Sequence, residues 1–114
     1  MPKLIALIKA LPGMNRQAFI EHYETCHAPL VRRLLPMIGD YRRSYVTDHF
    51  GQPDNPLGYD VMTELWFAND QDLAAFYTVI RQQEVLAQIR ADEAHFLISD
   101  ATRMIAVEEH GAAS

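Results

Sequence analysis

The stretch Tyr59-Asp60-Val61-Met62-Thr63-Glu64-Leu65-Trp66-Phe67 alternates residue by residue between two faces. One face carries Tyr59, Val61, Thr63, Leu65 and Phe67; the other carries Asp60, Met62, Glu64 and Trp66. A period of two is the mark of a β-strand, whose successive side chains point to opposite sides of a sheet. The second face also bears large apolar groups, Met62 and Trp66. Lys3 to Lys9 (KLIALIK) repeats the pattern, with Leu4, Ala6 and Ile8 on one side and Ile5 and Leu7 on the other. Both strands therefore ask for cover on both faces.

Outward from these strands, Leu11-Pro12-Gly13 stops the first one, and Asn15 is a suitable N-cap for a helix. The inward stripe of that helix is expected at Phe19, Tyr23, Cys26 and Leu30, with Glu21, Glu24 and Ala28 facing water. Pro36 to Asp40 reads as a loop and Tyr41 to Phe50 as a second strand. Gly51 to Gly58 is turn chemistry throughout. Asn69 or Asp70 opens a second helix through Leu73, Phe76, Tyr77 and Ile80, and the helical pattern resumes with Val85, Leu86 and Ile89. Thr102 to Glu108 is a short last strand. Residues 1–110 are expected to form a single domain, with a loose tail at 111–114.

The order strand, helix, strand, strand, helix, strand predicts a ferredoxin-like α+β fold, βαββαβ, with helices on one face of a four-stranded antiparallel sheet. Helices can cover only one face. At roughly 25 cal/mol per Å² of apolar surface, a bare second face forfeits several kcal/mol and invites aggregation. A second copy of the chain is the expected cover, giving a homodimer in the form of a dimeric α+β barrel with a small cavity for a hydrophobic ligand.

Bulk properties narrow the function classes. The chain has 114 residues, 49% hydrophobic and 22% charged, with a net charge of -5. No basic cluster exceeds Arg32-Arg33 and Arg42-Arg43, which argues against nucleic-acid binding. Cys26 is the only cysteine, so no internal disulfide can form. The N-terminal apolar run is too short for a signal peptide, and no stretch approaches the ~20 apolar residues of a membrane span. The cytoplasm is the expected compartment.

Residues 19–30, Phe-Ile-Glu-His-Tyr-Glu-Thr-Cys-His-Ala-Pro-Leu, hold the most suggestive chemistry. Pro29 has no N–H to donate and its ring clashes with the carbonyl of Thr25, so it kinks or ends the helix where His27 projects. His27 has two readings. One is a proton carrier with an ordinary pKa of ~6.5; the other is a buried ring bonded to a backbone carbonyl at the kink. His22 lies on the opposite flank of the stripe, so the two histidines are not expected to serve one site.

Glu64, mid-strand among apolar neighbours, reads as an acid or base, and Asp60 as partly solvated. Tyr45 offers a phenol. Trp66 reads as core, interface or aromatic platform. Asp92-Glu93 with His95 reads as a solvated helix end, not a metal site, since the ligands would fall on adjacent helix faces. Cys26 reads as a small buried hydrophobe. No glycine-rich phosphate loop or nucleophile elbow is present.

The run His22-Tyr-Glu-Thr-Cys-His27-Ala-Pro-Leu30 resembles the signature of EthD-domain proteins, a branch of the dimeric α+β barrel superfamily. Lys3 to Lys9, Pro12-Gly13-Met14, Tyr59-Asp60, Glu64 to Phe67 and Asp92 to Phe96 match further segments of that family in order. Asn15 departs from its usual Ser or Thr cap, and Gln52 to Leu57 matches no segment of it. The resemblance implies a hydrophobic cavity that does proton-transfer chemistry without a metal or nucleotide. It implies either an enzyme acting on a small apolar or aromatic compound, or an accessory to an oxygenase, with a broad oxidoreductase association. A non-catalytic ligand-binding or structural dimer is the alternative. The candidate catalytic residues are His27, Glu64 and Tyr45; the candidate substrate contacts are His22, Tyr23, Asp60, Met62 and Trp66.

Overall fold

The computed structural model describes residues 1–111 apart from 53, 55 and 56. Four strands, β1 (Lys3–Ile8), β2 (Asp40–Tyr45), β3 (Val61–Trp66) and β4 (Arg103–Val107), form one antiparallel sheet in the order β2-β3-β1-β4. Helices α1 (Arg16–His22), α2 (Ala28–Leu34), α3 (Asp70–Ile80) and α4 (Gln83–Glu93) supply the covering layer. This is the expected ferredoxin-like α+β architecture.

Alternation in β1 and β3 divides the sheet as expected. Leu4, Ala6, Ile8, Val61, Thr63 and Leu65 are buried on the core face. The opposite face carries Lys3, Ile5 and Leu7 of β1 beside Met62, Glu64 and Trp66 of β3, with Ile105 opposite Ile5 in the β1–β4 register. Met62 is 36% and Ile105 46% exposed. Lys3 is buried on this side, its ammonium paired with Glu64 and, at 2.9 Å, with Glu109.

The second strand is shorter than its sequence suggests, ending at Tyr45 and not at Phe50. One further ladder bond runs from Val46 N–H to Asp60 O, after which the chain turns, and Phe50 takes a positive φ of 56°. The second helical region is two helices, α3 and α4, broken at Arg81-Gln82. Asn69 and Asn15 cap α3 and α1 by accepting from the backbone N–H groups of Asp72 and Ala18. The expected tail at 111–114 lies outside the described residues except for Gly111.

The largest departure is between α1 and α2. The helix neither ends nor simply kinks at Pro29; it widens into one π turn, Tyr23–His27, in which the Ala28 N–H donates to Tyr23 O. An i→i−5 bond inserts one residue into the helical turn. That insertion lets the chain pass Pro29 without the α-helical collision with Thr25. It also rotates every later side chain. The buried residues become Phe19, Tyr23, His27, Ala28, Val31 and Leu35, while Cys26 is exposed and Leu30 is half-buried. Ala28, expected in water, is in the core; Cys26, expected in the core, is in water.

Candidate active site: a histidine pair on one carboxylate

His27 is 4% exposed and enters the space between α2 and the core face of the sheet. Its Nδ1 lies 2.8 Å from Asp92 Oδ2 on α4, and His22 Nε2 lies 3.0 Å from Asp92 Oδ1. The expectation that the two histidines work apart is therefore corrected: both end on one carboxylate. In an uninterrupted α-helix, residues five apart stand about 140° apart around the axis. The π turn brings them closer to one face, where α4 can meet both. Asp92 also corrects its own reading, being a half-buried acceptor for two rings and not a solvated helix end.

An ionised carboxylate only accepts, so Asp92 fixes the proton of neutral His27 on Nδ1. The lone pair is then on Nε2. That nitrogen makes no hydrogen bond to a described residue, and no fully buried side-chain nitrogen or oxygen is left unpaired among them. His27 lines a cavity of about 100 Å³ walled by Val31, Leu65, Phe76, Ile80 and Ile89, with the Glu93 side chain also on its wall. Burial pulls the His27 pKa below its ordinary 6.5, against the opposing pull of the Asp92 hydrogen bond. The ring is neutral at pH 7 and poised to accept a proton. Phe96, fully buried, packs on both rings at centroid distances of 4.7 Å to His22 and 5.0 Å to His27.

The other candidates are distributed around this centre. Tyr23 lines the same cavity, and its ring meets His27 edge-on at 5.4 Å. Its hydroxyl contacts Thr63 Oγ1 at 2.6 Å and accepts from Tyr41 at 3.4 Å. Tyr45 instead donates to Glu24, whose carboxyl is held below its usual range chiefly by the bidentate Arg43 guanidinium. Tyr45 and Asp60 share a separate hollow of about 120 Å³ with Met14 and Arg16, where Asp60 accepts the Ala10 N–H.

Glu64 and Trp66 stand on the far face of the sheet, Glu64 paired with Lys3 and Trp66 under the Lys3 and Arg42 cations at 4.4 and 5.5 Å. Met62 lies there too, in a hollow with Leu7, His49 and Tyr59. Within one protomer the sheet separates Glu64 from His27, so the two do not meet in one cavity. Thr63 and Tyr41 were not among the candidate site residues read from the sequence, and Asp92 was read there only as part of a solvated helix end. Thr63 did leave a signal, as the one polar group between Val61 and Leu65 on a buried face; Asp92 left only its place in a family-like segment. Among the described residues no group of three His, Cys, Asp or Glu could hold a metal ion, and no helix is long and apolar enough to cross a membrane.

The family model for the EthD domain matches residues 11–100. This chain belongs to the EthD domain family. Solved structures share its fold. An ethyl tert-butyl ether d (EthD) family protein from Bacillus halodurans aligns at 23% identity over 96% of this chain and 100% of its own, with a TM-score of 0.65. An EthD-like protein from Ralstonia eutropha aligns at 16% over 99% and 96%, TM-score 0.62. A dimeric ferredoxin-like protein of unknown function from Thermobifida fusca aligns at 15% over 93% and 88%, TM-score 0.58. No curated protein matches the sequence.

Proposed function

We propose that this EthD-domain protein is a proton-transfer enzyme of the isomerase or lyase type, acting on a small apolar or aromatic compound. His27 is its general base. The observation that carries this reading is the Asp92–His27 bond beside a largely apolar cavity that His27 lines, which supports Nε2 as the nitrogen free to take a proton. A base that is neutral at working pH, fixed in tautomer and desolvated needs little reorganisation to take a proton. The chemistry is carried by side chains of the protein.

The protein works as a homodimer. The face bearing Ile5, Leu7, Met62, Trp66 and Ile105 has no covering layer within the protomer, and a second copy supplies it. The dimeric state described for the Thermobifida fusca structure agrees with this. The dimer keeps the sheet dry from below while the helices close the cavity from above.

The test is exchange of carbon-bound protons in D₂O, followed by ¹H NMR over a panel of small ketones, lactones and phenols. Wild-type protein should wash out the acidic proton of at least one compound, and His27→Ala should slow that exchange by roughly a hundredfold or more. Binding without exchange would make the protein a carrier. Unchanged exchange in the alanine variant would remove His27 from the chemistry.

A further inference from the structure

Thr63 sits mid-strand in β3 between Val61 and Leu65 and is 2% exposed. A buried hydroxyl is costly unless it is hydrogen-bonded. It meets the Tyr23 hydroxyl at 2.6 Å, and Tyr41 donates to that same Tyr23 oxygen across 3.4 Å. The three residues come from β3, the π turn and β2, and all three line the His27 cavity. Three hydroxyls carry three protons. Their two mutual contacts use two of them, and these oxygens make no other hydrogen bond to a described residue. One O–H is left over for a guest. Burial also holds the Tyr23 and Tyr41 phenols above their ordinary range, so they keep their protons and remain donors. The cavity thus has His27, the proposed base, on one wall and a hydroxyl donor on another.

Resting on the assignment of His27 as base, the geometry points to the Tyr41–Tyr23–Thr63 hydroxyl chain as the subsite that holds the oxygen of an enolisable carbonyl compound, a small ketone or lactone. His27 Nε2 takes the proton from the carbon beside the carbonyl. The C–H bond breaks, an N–H bond forms, and the freed electron pair makes the carbon–carbon double bond while the carbonyl pair settles on oxygen. The chain donates to that enolate oxygen, and each bond in the chain polarises the next. Return of the proton to carbon restores His27, and no oxidant or reductant is consumed.

Cyclopentanone is the probe. Its infrared carbonyl band is measured bound to wild type, Thr63→Val, Thr63→Ser and Tyr23→Phe, alongside its proton exchange in D₂O. The band on wild type should lie below its position in an apolar solvent. Thr63→Val should move it back toward that position, and Thr63→Ser should hold it low. Exchange should fall about tenfold to a hundredfold in Thr63→Val and Tyr23→Phe. If Thr63→Val does not fold, Tyr23→Phe, which keeps the ring, carries the test. A wild-type band at the apolar position, or no uptake of the ketone, overturns the subsite. His27→Ala that keeps both exchange and the lowered band overturns the base and leaves the subsite standing, so the two failures are distinct.

Discussion

His27 Nδ1 sits 2.8 Å from Asp92 Oδ2 although 65 residues separate them in the chain. The contact spans the packed layers of the π turn and α4, and it decides which nitrogen of His27 is free. Asp92→Asn keeps the shape but removes the acceptor-only character that fixes the tautomer. Proton exchange should fall by up to about 10⁴-fold, by analogy with the loss of the orienting carboxylate in Ser-His-Asp sites. His22→Gln should cost much less, because Asp92 Oδ2 still holds His27. Kinetics on the two variants check the order.

The pH profile should follow His27. Its folded pKa is lowered below 6.5, first by burial. The active, unprotonated base is therefore present at neutral pH, and the rate should drop on an acid limb lying below 6.5. The stability sign is the same. Between the folded pKa and 6.5 the unfolded chain binds the extra proton, so stability contributed by neutral His27 is complete above 6.5 and is lost as pH falls through the folded pKa. Removing Asp92 takes away groups that raise the pKa, so the acid limb of Asp92→Asn should shift lower still. Rate and denaturant titrations against pH read both effects.

The π turn should be essential and Cys26 itself should not. Cys26→Ala alters an exposed side chain and should change stability by no more than about 0.5 kcal/mol. Deleting Cys26 removes the extra residue of the turn, so a regular helix would keep Ala28, Val31 and Leu35 on the core face but would set the Pro29 ring against the carbonyl four residues before it. Thermal denaturation should separate the two changes sharply.

Phe96, fully buried, touches Phe19, Tyr23, His22 and His27. Phe96→Ala should destabilise the protein by about 3–5 kcal/mol, read by denaturant unfolding. Phe96→Leu should keep most of the stability while loosening the histidine rings, and so lower exchange more than melting temperature.

The uncovered sheet face gives the dimer test. Ile105→Glu or Met62→Lys places a charge on that face and should yield a monomer by sedimentation. Glu64→Gln should weaken association and lower the melting temperature by leaving Lys3 with Glu109 alone. Its effect on exchange should be small, since Glu64 and His27 lie on opposite sides of the sheet.

The sheet and its two apolar faces were written locally. Period-two alternation in Lys3–Ile8 and Val61–Trp66, the caps at Asn15 and Asn69, and the turn residues between them act over a few positions, and the structure follows them. The family segments around His27 were legible for the same reason, as contiguous runs of residues. The position of His27 beside a helix-breaking proline was visible too.

What the chain order could not convey was rotation and distance. Pro29 announces a disturbance, but whether the helix ends, kinks or gains a π turn depends on which side chains the core accepts next. That choice put Cys26 outside and His27 and Ala28 inside. The meeting of His22 and His27 on Asp92, and of Tyr41, Tyr23 and Thr63 around one cavity, arises where separate elements pack against each other. Local patterns specify which way a side chain faces along its own element; only the packed layers specify what it faces.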